Sequence, residues 1–193
     1  MMLRGIQRRV DGERNHERGF TLIELLIVIA IIGIIAALAI LNVLRALVTA
    51  NEAQAIGDTR TVLSAEHAYA SANGGLFADV TNLCRGGADC NIGIPNYPTT
   101  APAFIGSDIG RASPYSKGGY TRQWIGLGGG APPGLTANQD PDSVVDFCYQ
   151  SYPAASGLSG VRSFAGGPTG LIYVDSQGVP IACPIPVGTA FLD

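Results

Sequence analysis

Residues 18–44 read RGFTLIELLIVIAIIGIIAALAILNVL. After Phe20 this segment holds a single charge, Glu24. As a helix, Phe20–Leu44 extends about 37 Å at ~1.5 Å per residue, more than a hydrocarbon core of roughly 30 Å. A helix apolar on every side belongs in a membrane or in a fully buried bundle. Upstream, residues 1–19 carry five Arg against three acidic residues. They show no apolar periodicity, have nothing to bury, and are expected to be disordered alone. A basic flank before the span and a long polar chain after it place the N-terminus on the cytoplasmic side.

Three readings compete for this segment. A cleaved secretory signal would use Ala37-Leu38-Ala39 as its small-x-small site. The apolar run, however, opens with a carboxylate and continues past that site into Val43, Leu44, Leu47 and Val48. An ordinary single-pass anchor leaves Glu24 without a role, although a carboxylate near a helix end can snorkel or protonate. The third reading cuts the chain between Gly19 and Phe20. The cut creates an ammonium four positions from Glu24 in an apolar setting, where unpaired charges are costly. Pairing the amine of one copy with the carboxylate of the next neutralises both and sets a register, which matters more here than raw stability.

Arg18-Gly19-Phe20-Thr21-Leu22-Ile23-Glu24-Leu25 followed by LIVIAIIGIIAALAI resembles the class III signal of type IV pilins and pseudopilins. The resemblance implies that residues 1–19 are a leader removed by a prepilin peptidase. It further implies cleavage between Gly19 and Phe20, N-methylation of Phe20, and Glu24 as the assembly residue. Gly33 matches the family pattern, whereas Leu41 stands where the family often has Pro and so removes a helix breaker. On this reading residues 20–44 form the transmembrane and filament-core half of a helix.

Residues 45–73 continue it as an amphipathic half. Val48, Ala55, Ile56, Val62, Leu63, Tyr69 and Ala70 share one face, with Glu52, Asp58 and Arg60 mainly elsewhere. Asn73-Gly74-Gly75 is a stop signal, so one helix is expected from about Thr21 to Ala72. Residues 74–193 hold 21 of the 26 Gly and all 12 Pro. Strand-like runs interrupt them at 123–127, 146–152, 161–165 and 171–174, the last ended by Asp175-Ser176-Gln177-Gly178. The expectation is an α+β fold resembling the pilin fold: a long N-terminal helix packed on a small antiparallel sheet of about four strands. Long loops at 84–111 and 126–141 and a loop-rich C-terminal region complete the head.

Cys84, Cys90, Cys148 and Cys183 allow three pairings, and a translocated head faces an oxidising compartment. Cys84–Cys90, closing a small Gly-rich loop, together with Cys148–Cys183 is the preferred set. The second bridge resembles the one that clamps the C-terminal loop of pilins. No CxxC occurs, and the only His are His16 and His67, so zinc has little support. His67 has no Ser or Cys partner by local motif. Gly126-Leu127-Gly128-Gly129-Gly130 runs into Pro132-Pro133 without a phosphate-loop Lys and reads as a loop. Asn138, Asp140, Asp142 and Asp146 offer oxygen ligands, with Asp140 and Asp142 the weak calcium candidates. No cofactor and no catalytic constellation is expected.

Charged residues make up 14% against roughly 25% in typical domains, and a pI near 5.3 disfavours nucleic acid as a partner. Without residues 1–19 the net charge changes from −3 to −5. The low charge has two sources: an apolar helix at one end and a Gly/Pro-rich head at the other. The expected function is a structural subunit of a type IV pilus-like homo-oligomeric filament. Its partners are the prepilin peptidase and the assembly machinery of the inner membrane. It is held there as a single-pass protein before it reaches a cell-surface pilus. A type II secretion pseudopilin or an adhesive, ligand-binding minor pilin is the alternative, and a tethered periplasmic enzyme lacks the residues it needs. The C-terminus lacks the acidic, aromatic ending associated with major secretion pseudopilins, which favours a pilus subunit.

Overall fold

The computed structural model describes residues 19–128 and 132–192. Residues 1–18 of the expected leader, His16 among them, and residues 129–131 of the Gly-rich loop lie outside the described residues. The chain divides into two compact units, Met1–Asn42 and Val43–Asp193. Helix α1 covers Leu22–Ala72. It passes Gly33 and Leu41 unbroken, since neither residue removes a backbone donor as Pro does. In the first unit its apolar side chains are exposed on all sides, from Leu22 to Leu41.

In the second unit the rest of α1 packs against a five-stranded antiparallel sheet. Its strands are β1 (Tyr115–Lys117), β2 (Tyr120–Leu127), β3 (Asp146–Pro153), β4 (Ser163–Gly166) and β5 (Ile172–Asp175), in spatial order β1-β2-β3-β4-β5. The α+β, pilin-like architecture is therefore observed, with one strand more than the sequence suggested. The extra strand is β1. Its three residues are too few to show an alternating pattern, yet its connection to β2 is Gly118-Gly119, both at positive φ (56° and 71°). That is the two-residue hairpin turn which glycine makes accessible. The register pairs Lys117 with Tyr120, and Gln123 with Gln150.

Alternation along the strands gives the sheet two occupied faces. Towards α1, Val62, Leu63 and Tyr69 join Tyr120, Phe147, Tyr149 and Phe164 in the main core. Gly166 allows close approach there, because a Cβ at that position would lie 2.6 Å from Leu63 Cδ1. On the other face Cys148 and Ala165 are covered by Ile181, with Cys183 and Ile185 beside them. The C-terminal segment is thus a strap across the back of the sheet. Helix α1 ends in a Schellman arrangement: Gly74 has φ 68° and the Gly75 N–H donates to the Ala70 carbonyl at 2.7 Å.

The carboxylates of α1 do not lie where simple amphipathicity put them. Glu52 and Asp58 are buried, and so is Glu66, whereas Arg60 is exposed. The reason is a matching set of donors on the sheet side, which a helical projection cannot display. Arg122, on β2, is fully buried. Its Nε and Nη2 donate to Asp58 Oδ2 at 3.0 and 2.6 Å, and Nη1 donates to the Lys117 carbonyl at 3.0 Å. Lys117 Nζ reaches Asp58 Oδ1 at 3.4 Å. Breaking such a buried pair leaves an uncompensated charge at a cost of about 3–5 kcal/mol, whereas apolar replacement of both partners is close to neutral. Arg122→Ala is therefore expected to lower head stability by about 3–5 kcal/mol in denaturant unfolding, and an Asp58→Leu/Arg122→Met double variant to recover most of it.

Candidate functional site

The N-terminus of α1 is built around Thr21. Gly19 and Phe20 precede the helix, and the Phe20 side chain is 87% exposed. The Thr21 N–H and Oγ1–H both donate to Glu24 Oε2, at 2.9 and 2.8 Å, while the Glu24 N–H donates to Thr21 Oγ1 at 3.2 Å. This is a capping box, in which two otherwise orphaned N–H groups of the first turn are satisfied reciprocally. The carboxylate also lies at the positive end of the helix dipole. Glu24 stands out in the sequence for a role between copies, whereas nothing in the apolar run itself marks Thr21. The T-x-x-E spacing at 21–24 was the available signal. The structure brings Thr21 and Glu24 together within one chain, with Gly19 and Phe20 immediately before them.

From Leu22 onwards α1 is long and apolar enough to cross a membrane. Its exposed apolar side chains run as far as Leu47. Every backbone donor and acceptor inside a helix is satisfied within the segment, which is what allows it to sit in lipid.

In the head, acidic groups of α1 meet donors from three different places. Glu52 accepts the Val161 and Arg162 N–H groups at 2.9 and 3.1 Å and the Arg162 guanidinium through Nε and Nη2 at 3.0 and 2.8 Å. Burial works against the ionised Glu52, but these bonds outweigh it and hold its carboxyl below the usual range. Glu66, fully buried, accepts only the Trp124 indole N–H at 2.8 Å and the Ala78 N–H at 3.4 Å. No cation compensates it among the described residues. Burial pushes its carboxyl up to about 8 despite those two bonds, and the charge of Asp79 adds to the rise. At neutral pH it is held mostly protonated.

Tyr69 donates its hydroxyl to Asp140 Oδ2 at 2.6 Å. Burial raises the Tyr69 hydroxyl far above its ordinary value, and the bond to Asp140 with its negative charge raises it further. Asp140 also accepts from Asn82 Nδ2 at 3.0 Å and, through Oδ1, from the Asp142 N–H at 2.9 Å. Of the two calcium candidates, Asp140 is thus buried on protein donors and Asp142 is exposed. Among the described residues no group of three or more His, Cys, Asp or Glu could hold a metal ion.

Disulfides join Cys84 to Cys90 and Cys148 to Cys183. The first closes the segment after the short 3-10 helix Val80–Leu83, and the second fixes the C-terminal strap to β3. His67 lies edge-on to Phe77 and lines an open cleft of about 320 Å³ with Arg60, Ser64 and Leu192.

A family model described as the prokaryotic N-terminal methylation motif matches residues 14–40. No curated protein and no solved structure matches the chain. The matched residues include Gly19, Phe20, Thr21 and Glu24 and the first turns of the apolar helix.

Glu66 makes a pH-dependent contribution whose sign follows from its environment. A carboxyl raised in the folded state favours folding fully below about pH 4.5, loses that advantage as pH rises, and levels off above about pH 8. Glu66→Gln keeps an acceptor for Trp124 and cannot ionise. The wild type is therefore expected to lose stability relative to the variant by a few kcal/mol between about pH 4.5 and about pH 8, at up to ~1.4 kcal/mol per unit. Trp124 is the only Trp, so its fluorescence reports both unfolding and the titration of its partner. Parallel stability curves for the two proteins would contradict this assignment.

Proposed function

We propose that this chain, which carries the class III signal of type IV pilins over residues 14–40, is a structural subunit of a type IV pilus-like filament. The observation that supports this most is the coincidence of that motif with a helix whose apolar side chains are exposed on every side from Leu22 to Leu47. A surface of this kind needs lipid, or identical neighbours, around it. The motif implies processing by a prepilin peptidase and delivery to pilus assembly machinery. In this reading residues 1–19 are removed and Phe20 becomes the methylated terminus. Residues 20–44 hold the precursor in the inner membrane as a single-pass protein, and the Glu24 carboxylate meets the Phe20 amine of an adjacent copy during assembly. Residues 74–193 form the outer surface of a homo-oligomeric filament, extracellular once assembled. The hydrophobic effect contributes little to moving a helix from lipid to a protein core, so packing and charge pairing decide assembly. No catalytic step is assigned to the chain.

A pseudopilin of a secretion system, or a minor pilin acting as an adhesin, shares the same N-terminal chemistry. Mass spectrometry of sheared surface fibres distinguishes these roles. A filament made mainly of this chain, beginning at methylated Phe20, is the expected result. Glu24→Ala is expected to leave insertion and cleavage largely intact and to reduce filament incorporation, whereas a bulky substitution at Gly19 blocks cleavage. Wild-type fibre levels from Glu24→Ala, or an unchanged mature mass from the Gly19 variant, would count against the proposal.

A further inference from the structure

Where α1 leaves its apolar run, the head places a turn beside it. The turn spans Ala155–Gly160, closed by the Gly157 N–H donating to the Gly160 carbonyl at 2.7 Å. It is held to α1 by polar bonds: Asn51 Nδ2 donates to the Ser159 carbonyl at 2.9 Å, and Glu52 takes the Val161 and Arg162 N–H groups. The backbone of the turn is thus fixed on the helix while its apolar side chains face outward. Leu158 is 82% exposed, and Val161 is exposed beside it. A second turn backs the first. Ser156 Oγ bonds the Gln177 carbonyl at 3.4 Å, and Gly178 lies so close that a Cβ there would come within 2.7 Å of the Val161 carbonyl. Val179, next to it, is exposed as well.

Leu158, Val161, Leu44 and Val48 line one groove of about 380 Å³. Arg45 lines it too and makes no ion pair among the described residues. No carboxylate is among the lining residues. An exposed aliphatic cluster of this kind marks an interaction surface rather than a random scatter of apolar residues.

The sequence position of the groove says what covers it. Leu44 is the last residue of the apolar run and Arg45 the first charge after Glu24. If that run spans the hydrocarbon, Leu44 and Arg45 stand at the lipid–water boundary. There aliphatic side chains enter the interface and an Arg reaches the phosphates. We infer that the head of the membrane-held subunit docks on phospholipid through this groove, with Leu158 and Val161 inserted among the headgroups and Arg45 on a lipid phosphate. This rests on the reading of residues 20–44 as a membrane span. The docking would hold the head against the outer leaflet until assembly removes the subunit.

The test uses the full chain reconstituted in phosphatidylcholine vesicles with and without phosphatidylglycerol. Trp is introduced singly as Leu158→Trp, Leu38→Trp and Val187→Trp, all exposed positions, with native Trp124 as a common background. Quenching is read with lipids brominated near the headgroup or deep in the chain. Docking predicts that the added Leu158→Trp emission is blue-shifted and lowered to about half by the shallow quencher. It further predicts that Val187→Trp is unaffected and that Arg45→Gln removes any gain from phosphatidylglycerol. If Leu38→Trp is quenched by the deep lipid while Leu158→Trp is not, the docking fails and the membrane span stands. If Leu38→Trp is not quenched either, the span fails and the docking with it. A blue shift at Leu158→Trp that ignores brominated lipid and grows with protein density assigns the groove to a second copy and overturns the inference.

Discussion

One helix has to satisfy two surroundings. Over Leu22–Leu41 its side chains, Glu24 apart, carry no charge and its large apolar ones are exposed on all sides; from Val48 to Ala72 the same helix is buried along one side. A helix can do both because its backbone bonds are local and do not depend on what lies around it. The cost falls on the second half. There the helix needs a partner surface specific enough to keep one orientation against the sheet, since apolar contact alone tolerates sliding and rotation.

Buried carboxylates supply that specificity. Glu52 meets the turn before β4, Asp58 meets Arg122 on β2, and Glu66 meets Trp124 on the same strand. Each acid has one set of donors, and a rotation or a one-turn slip of the helix would strand all three. The gain is in uniqueness more than in stability, since desolvation of buried ions offsets much of their attraction. Glu66 illustrates the limit. With two N–H donors and no cation among the described residues, it is accommodated by keeping its proton. The sheet is anchored from behind as well, where the Cys148–Cys183 bridge holds the strap that covers Cys148 and Ala165.

This contrast explains what was legible in the sequence. The apolar run, the Gly stop at 74–75 and four of the five strands carry local patterns of period and punctuation, so they could be read. The Gly118-Gly119 hairpin was equally local, but three-residue β1 offered no alternation to support it. The inward direction of Glu52, Asp58 and Glu66 is not readable, because it depends on donors that, the Ala78 N–H apart, lie 58–110 residues away in the chain. A charged residue on a helix is solvated by default, and only the tertiary partner reverses that default. At the N-terminus the motif was visible as a string, while the bonding of Thr21 to Glu24 needed the spacing to be read as a cap.

That cap bears directly on how the proposed assembly works. In the single chain the Glu24 carboxylate already accepts two bonds from Thr21, so it is neither bare nor randomly oriented. A carboxylate has room for about four acceptor contacts, and both Thr21 bonds fall on Oε2. An incoming ammonium can therefore join through Oε1 without first dismantling the cap. The cap then acts as preorganisation: the side-chain entropy that pairing would otherwise cost is lost when the helix forms. Register between copies would follow from a rigid acceptor at a fixed place on the first turn, rather than from a flexible side chain searching for its partner.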